Sequence, residues 1–156
     1  KTDRAFRSGA YAIGAQCQIT TMPGYLPALS AEANEEVLAA AQIASQSSKK
    51  DYEVVKQDTT AHSGGSTDVG DVQPIQPVLT FNTGGKVSGL HSVDFDIVDD
   101  ELAYVVTAKI FALSAYRLLK NGAEKAKEVV ENYHPIFTKD AYIQYMDSFI
   151  SESTDL

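Results

Sequence analysis

Pro77-Val78-Leu79-Thr80-Phe81-Asn82 is the stretch that decides the fold. A near-continuous apolar run between a proline and an asparagine has the pattern of a short strand covered on both faces. Such a strand belongs inside a sheet with helices packed above and below it. The neighbouring sequence supplies the other parts. Upstream, Tyr52-Glu53-Val54-Val55-Lys56 reads as a second short strand. Before it, residues 31–47 read as a helix, with Ser30 as N-cap, Glu32 in the first turn, and Val37, Leu38, Ala41 and Ile43 on the buried side.

Downstream, the strongest helical pattern covers 99–120. Asp99 is its cap, Asp100 and Glu101 lie in its first turn, and Leu102, Val105, Val106, Ile110 and Leu113 share one side. Asn121-Gly122 ends or kinks this helix, and 123–132 continue helically with Glu124, Lys127, Glu128 and Glu131 exposed. Pro135 breaks the chain, and 141–150 form a last helix. After residue 29 the order is α, β, loop, β, loop, α, α. This is a layered α/β arrangement whose loops at strand ends carry the site.

The first part reads differently. Residues 2–15 are helical, with Phe6, Ala10 and Ile13 on one stripe, and Gly9 and Gly14 weakening the helix. Residues 16–22 alternate as a half-buried strand, Cys17 and Ile19 one way and Gln16 and Gln18 the other. Met22-Pro23-Gly24-Tyr25-Leu26-Pro27 then breaks the chain. A lone strand needs partners, and these are expected upstream of Lys1. Its exposed edge predicts self-association.

The bulk numbers exclude several classes. A length of 156 residues fits one domain or a fragment of a larger protein. Hydrophobic residues at 44% and charged residues at 22% describe a globular chain. A net charge of −8 argues against nucleic acid and against anionic membrane as partners. Cys17 is the only cysteine, so no internal disulfide forms, and a reduced, buried thiol is expected. No stretch approaches the roughly 20 apolar residues of a membrane span. No leader peptide is visible, and a cytoplasmic protein is expected.

Two polar loops hold the candidate chemistry. Gly64-Gly65-Ser66-Thr67-Asp68-Val69-Gly70-Asp71 lies in the loop 58–73, with a helical start at Ser66 or Thr67. It has two readings: backbone N–H groups presented to an anion such as a substrate carboxylate, or a flexible acidic loop. It is not a phosphate loop, because no Gly-Lys-Ser/Thr follows. Gly89-Leu90-His91-Ser92 lies in the loop 83–96, where Ser92, Asp94 and Asp96 are acceptors within reach of the His91 ring. His62 and His134 carry no comparable pattern, and no pair of histidines has metal-ligand spacing.

The combination resembles a known family. Ile19 to Pro27, the run Gly65-Ser66-Thr67-Asp68-Val69-Gly70-Asp71-Val72, and Leu90-His91-Ser92 with Phe95 and Asp99-Asp100-Glu101 are similar to segments of the zinc-dependent aminoacylase/carboxypeptidase-type metallopeptidases and amidohydrolases. Within them, the run Gly65–Val72 resembles the motif of the aminobenzoyl-glutamate hydrolase branch. The resemblance covers the chain to about residue 135. It implies the C-terminal part of a three-layer α/β/α catalytic domain over 29–156. It also implies the last helix and strand of an inserted βαββαβ lid and dimerisation domain over 1–28. His91 is implied as the terminal metal ligand, and Gly65, Ser66, Thr67 and Asp68 as substrate-binding residues. Two zinc ions are the implied cofactors, with manganese or cobalt suited to similar ligands. The implied substrate is an N-acyl amino acid, an aminobenzoyl-glutamate-like compound or a small peptide. The implied partners are the upstream part of the same chain and, through the lid, a second copy.

No catalytic base has a counterpart among these residues, and one histidine does not hold a catalytic zinc. The chain alone is therefore expected to be inactive. The alternatives are a non-catalytic α/β binding or assembly module, and a plain α/β structural domain.

Overall fold

A computed structural model describes residues 1–29, 32–56, 58–60, 67–89 and 91–154. In chain order the elements are α1 (Thr2–Ala12), β1 (Gln18–Thr21), α2 (Glu35–Gln46), α3 (Val69–Val72), β2 (Lys86–Val87), β3 (Asp96–Ile97), a π-helical turn (Glu101–Val106), α4 (Thr107–Glu131), α5 (Lys139–Asp147) and β4 (Ser151–Thr154). They fall into two compact units. The first comprises Lys1–Ala28, Ser66–Ile75 and Pro135–Leu156, and the second comprises Leu29–Gly65 and Gln76–His134.

In the first unit β1 pairs antiparallel with β4, Gln18 opposite Thr154 and Thr21 opposite Ser151. Arg7 adds a hydrogen bond from Nη2 to Ser153 Oγ at 2.6 Å. Sequence alone leaves β1 without a partner inside the chain, whereas β4 occupies one of its edges. The reason is chemical: Ser151-Glu152-Ser153-Thr154 has no apolar alternation to mark it as a strand. The expected apolar stripe of α1 buries nothing, since Phe6 and Ile13 are both exposed. The packed part of this unit is aromatic. Phe137 stacks on Tyr145 at 5.2 Å, and Tyr145 meets Phe149 edge-on at 5.0 Å. The Pro74 carbonyl accepts from the amides of Ile136 and Phe137, which fixes the entry to α5. Thr138 then caps α5 by accepting from the Ala141 amide.

The second unit is built on α2 and α4. Asn34 caps α2, accepting from the amides of Glu36 and Val37; the cap expected at Ser30 lies outside the described residues. Val37, Ala40 and Ala44 form the buried stripe. Ile43, expected on that side, is exposed. At 100° per residue it lies well round the helix from Val37. Ala44 packs on Val106 and Ile110, with Tyr52, Phe81, Leu102 and Leu113 partly buried around them. Phe81 meets Phe111 at 4.7 Å. At the N-terminal end of α2, Glu36 Oε2 lies 2.8 Å from Arg117 Nε, a half-buried ion pair rather than an aligned hydrogen bond.

The long helical pattern departs from a plain α-helix twice. Its first turn is π-helical, and Val105, expected on the packed side, is exposed while Val106 is buried. At Lys120–Ala123 the helix breaks. Asn121, Gly122 and Ala123 take left-handed conformations in succession. Glu101–Glu131 is long and apolar enough in composition to cross a membrane, unlike the reading from sequence. Here one side of it packs on α2, and the break divides it.

The two segments read as strands, 52–56 and 78–81, run without turn or bend but join no ladder among the described residues. The ladder in this unit is instead the small pair of β2 and β3, Lys86 opposite Ile97 and Val87 opposite Asp96.

Candidate functional site

The acidic glycine run is anchored by its second half. Gly70 is buried, and a Cβ there would lie 1.8 Å from the Leu26 carbonyl oxygen and 3.0 Å from the Ala28 nitrogen. Only glycine lets the segment after Pro-Gly pass so close. Asp71 completes the clamp, its Oδ1 accepting from the Leu26 amide at 2.8 Å. Tyr142 on α5 faces the same carboxylate. Burial, then the Asp71 charge and a hydrogen bond to it, hold the Tyr142 phenol above the usual tyrosine range.

The first half of the run meets solvent. Asp68 precedes the single turn of α3, and its side chain makes no cap hydrogen bond. Thr67 Oγ1 lies 3.3 Å from Asp68 Oδ1, and the carbonyls of Thr67 and Asp68 accept from the amides of Gly70 and Asp71. Both side chains are exposed. Gly65 and Ser66, the other two residues implied in substrate binding, lie outside the described residues, as do Gly64 and His62.

His91 belongs to the second unit, in the loop 88–95 joining β2 to β3. The loop is made of local turns. The Ser92 amide donates to the Gly89 carbonyl, and the Phe95 amide to that of Ser92. Ser88 and His91 take left-handed backbone, φ 61° and 66°, unfavourable for residues with a Cβ. Two of the three acceptors expected to steer the imidazole serve the backbone instead. Ser92 Oγ accepts from the Asp94 amide, and Asp96 Oδ1 from the Ile97 amide. The exposed His91 ring has no hydrogen-bond partner among the described residues. His134 is also exposed. Thr67 and Asp68 thus lie in one unit and His91 in the other.

A second charged centre forms at Asp99. Its Oδ2 lies 2.6 Å from Lys50 Nζ, and its Oδ1 accepts from Tyr52 OH at 3.0 Å and from the Leu102 amide at 3.1 Å. Hydrogen bonding to Lys50, then to the Leu102 amide, holds the Asp99 carboxyl below the usual carboxylate range. The same contact raises Lys50, and burial followed by the Asp99 hydrogen bond raises Tyr52. Gly85, at φ 92°, allows the backbone to close on this centre: a Cβ would lie 2.6 Å from the Asp99 carbonyl oxygen. Asp99 is expected as the cap, but the N-cap is Asp100, whose carboxylate accepts from the Glu101 amide, and the ties of Asp99 to Lys50 and Tyr52 cross almost fifty residues. They join the end of α2 to the start of the π-turn.

Among the described residues no three of His, Cys, Asp and Glu converge as a metal-holding group. His91 offers one imidazole, short of the three protein ligands that a catalytic zinc requires. The described residues therefore do not fit a metal on their own. Cys17 is a free, half-buried cysteine of the first unit. No protein-family model, curated protein or solved structure matches the chain.

Proposed function

We propose that this chain forms one wall of a metal-dependent amidohydrolase or peptidase, the C-terminal part of a three-layer α/β/α enzyme. The single observation that supports this most is the state of His91. Its imidazole is exposed and unpartnered among the described residues, on a loop where Ser92 Oγ and Asp96 Oδ1 accept from backbone amides. In this reading His91 contributes one neutral nitrogen to a zinc site, or to a manganese or cobalt site, and the remaining ligands and the base lie outside these 156 residues. Thr67 and Asp68, held by the Gly70–Asp71 clamp, contact the substrate, an N-acyl amino acid, aminobenzoyl-glutamate-like compound or small peptide. The chain alone hydrolyses nothing.

The test uses the longer polypeptide that carries this chain, with bound zinc measured by mass spectrometry and turnover measured on aminobenzoyl-glutamate. His91→Ala should lower both, and Asp68→Asn should raise KM with metal content unchanged. Unchanged metal content and turnover in His91→Ala would sink the assignment. The second reading, a non-catalytic binding or assembly module, is favoured by a different observation: straight, unladdered segments beside an apolar cavity in the second unit.

A further inference from the structure

The hairpin that carries His91 is joined to the second unit at its stem. There the Gly85 carbonyl accepts from the amides of Val98 and Asp99 at 2.9 and 3.1 Å, and the two-residue ladder of β2 and β3 lies just beyond. Every described residue from Lys86 to Asp96 is exposed, and Ile97 is half-buried. Among the described residues, then, no buried side chain fixes the direction of this arm. So short a ladder, with its backbone hydrogen bonds open to water, belongs to the low-stability end of a fold. Its direction has to be set at the base. Asp99 stands there, and its two carboxylate oxygens reach different side chains just past the end of α2. Oδ2 lies 2.6 Å from Lys50 Nζ, and Oδ1 accepts from Tyr52 OH at 3.0 Å. Tyr52 is itself secured to α2, because Ser45 Oγ donates to its carbonyl at 2.6 Å and accepts from its amide at 2.9 Å. Lys49 Nζ, 3.5 Å from Glu101 Oε2, is a second tie across the same junction. The other foot of the arm is Gly85. At φ 92° it takes backbone that residues with a Cβ rarely adopt, which suits a pivot. The ties at Asp99 differ in character. Tyr52 is half-buried, whereas the Lys50 side chain is 63% exposed. The ion pair can therefore open to water while Ala44, Val106 and Ile110 stay packed.

We propose that Lys50, Tyr52 and Asp99 form a latch that holds the hairpin 86–97 in one direction, and that the hairpin swings about Gly85 when the Lys50–Asp99 pair opens. His91 sits in the loop at the far end of this arm. Lys50 lies outside the arm and is a positioning residue for the imidazole, acting through Asp99 and the stem. A small rotation at the stem becomes a larger displacement at the loop, because the arm is held at one end only. The latch rests on the contacts at Asp99; its consequence for turnover rests on the hydrolase reading.

The test is a distance measurement on the 156-residue chain by double electron–electron resonance. Nitroxides are placed at Asp94→Cys on the arm and Ala112→Cys on α4, both exposed positions of the second unit, with Cys17→Ser to remove the native thiol. With Lys50 present the distance distribution should be single and narrow. Lys50→Met should broaden it. In the same variant the Val98 and Asp99 amides should exchange at least about tenfold faster, while amides of α2 and α4 keep their rates. A broad distribution with Lys50 present overturns the proposal, as does a narrow one in Lys50→Met. Broadening accompanied by faster exchange along α2 and α4 overturns it in favour of a tie that holds the core. In the longer polypeptide, Lys50→Met should lower turnover of aminobenzoyl-glutamate, as His91→Ala should. A broadened distance in Lys50→Met with full turnover in His91→Ala would remove the hydrolase reading and leave the latch standing. A narrow distance with turnover lost in His91→Ala would do the reverse.

Discussion

Gly70→Ala should be among the most damaging single-methyl additions in the first unit. The added Cβ would overlap the Leu26 carbonyl, at 1.8 Å from its oxygen and 2.7 Å from its carbon. Every atom in the way is backbone, so no side chain can rotate aside. Residues 26–28 must move by more than about 1 Å, and overpacking of this kind costs about 1–3 kcal/mol. The same movement separates the Leu26 amide from Asp71 Oδ1, now 2.8 Å away. Losing a hydrogen bond to a charged acceptor adds about 1.5–3 kcal/mol. The combined expectation is about 3–5 kcal/mol. Urea denaturation gives the stability, and amide exchange at Leu26 reports the clamp directly. Gly9→Ala is the matched control. Gly9 lies within α1 with nothing inside 4 Å of an added methyl, so this change should stabilise by up to about 1 kcal/mol through helix propensity alone. If Gly70→Ala stays within about 0.5 kcal/mol of wild type and Leu26 keeps its protection, the clamp is not what holds this segment.

Two further outcomes are expected. Asp99 is depressed in the folded chain, so its contribution to stability is present above about pH 3.9 and is lost as pH falls through its lower folded value. Lys50 and Tyr52 are raised, so their contribution is complete below about pH 10 and fades as pH rises through their folded values. Denaturation midpoints for wild type and Asp99→Asn across pH should therefore converge at both extremes, and parallel curves would refute this. Ala123→Gly should stabilise by about 1 kcal/mol, because Ala123 sits at φ 62° with a Cβ that left-handed backbone disfavours; a lower midpoint in the variant would count against it.

Local chemistry was readable wherever the partner lies nearby in sequence. Asn121-Gly122 as a break and Pro135 as a stop follow from residues within a turn of one another, whereas the cap expected at Asp99 falls on Asp100, which accepts from the Glu101 amide. β4 was not readable, because its four polar residues become a strand only through β1, more than a hundred residues earlier. Val54 and Phe81 show the converse: their segments have strand character, but a ladder is a property of two segments and only one is legible at a time. The π-turn escaped because a helical pattern in Leu102, Val105 and Val106 does not reveal an inserted residue. In the candidate site, Gly70 and Asp71 read as part of a substrate loop. Their roles rest on contacts with Leu26 and Tyr142, which no spacing rule reports. The single imidazole of His91 was legible, but its left-handed backbone was not.

The division of the chain also sets an order of assembly. The second unit ends at His134, whereas the first is gathered from three separated stretches and lacks β4 until Ser151–Thr154. The α2–α4 unit therefore emerges from a ribosome before the strand that closes on β1 does. Until then the edge of β1 that β4 takes is unpaired. Pairing across such a sequence separation is slow. The interval between the second unit and β4 is thus one in which that edge is open to misassembly, and it lengthens with any change that delays the closing stretch from Pro135 onward.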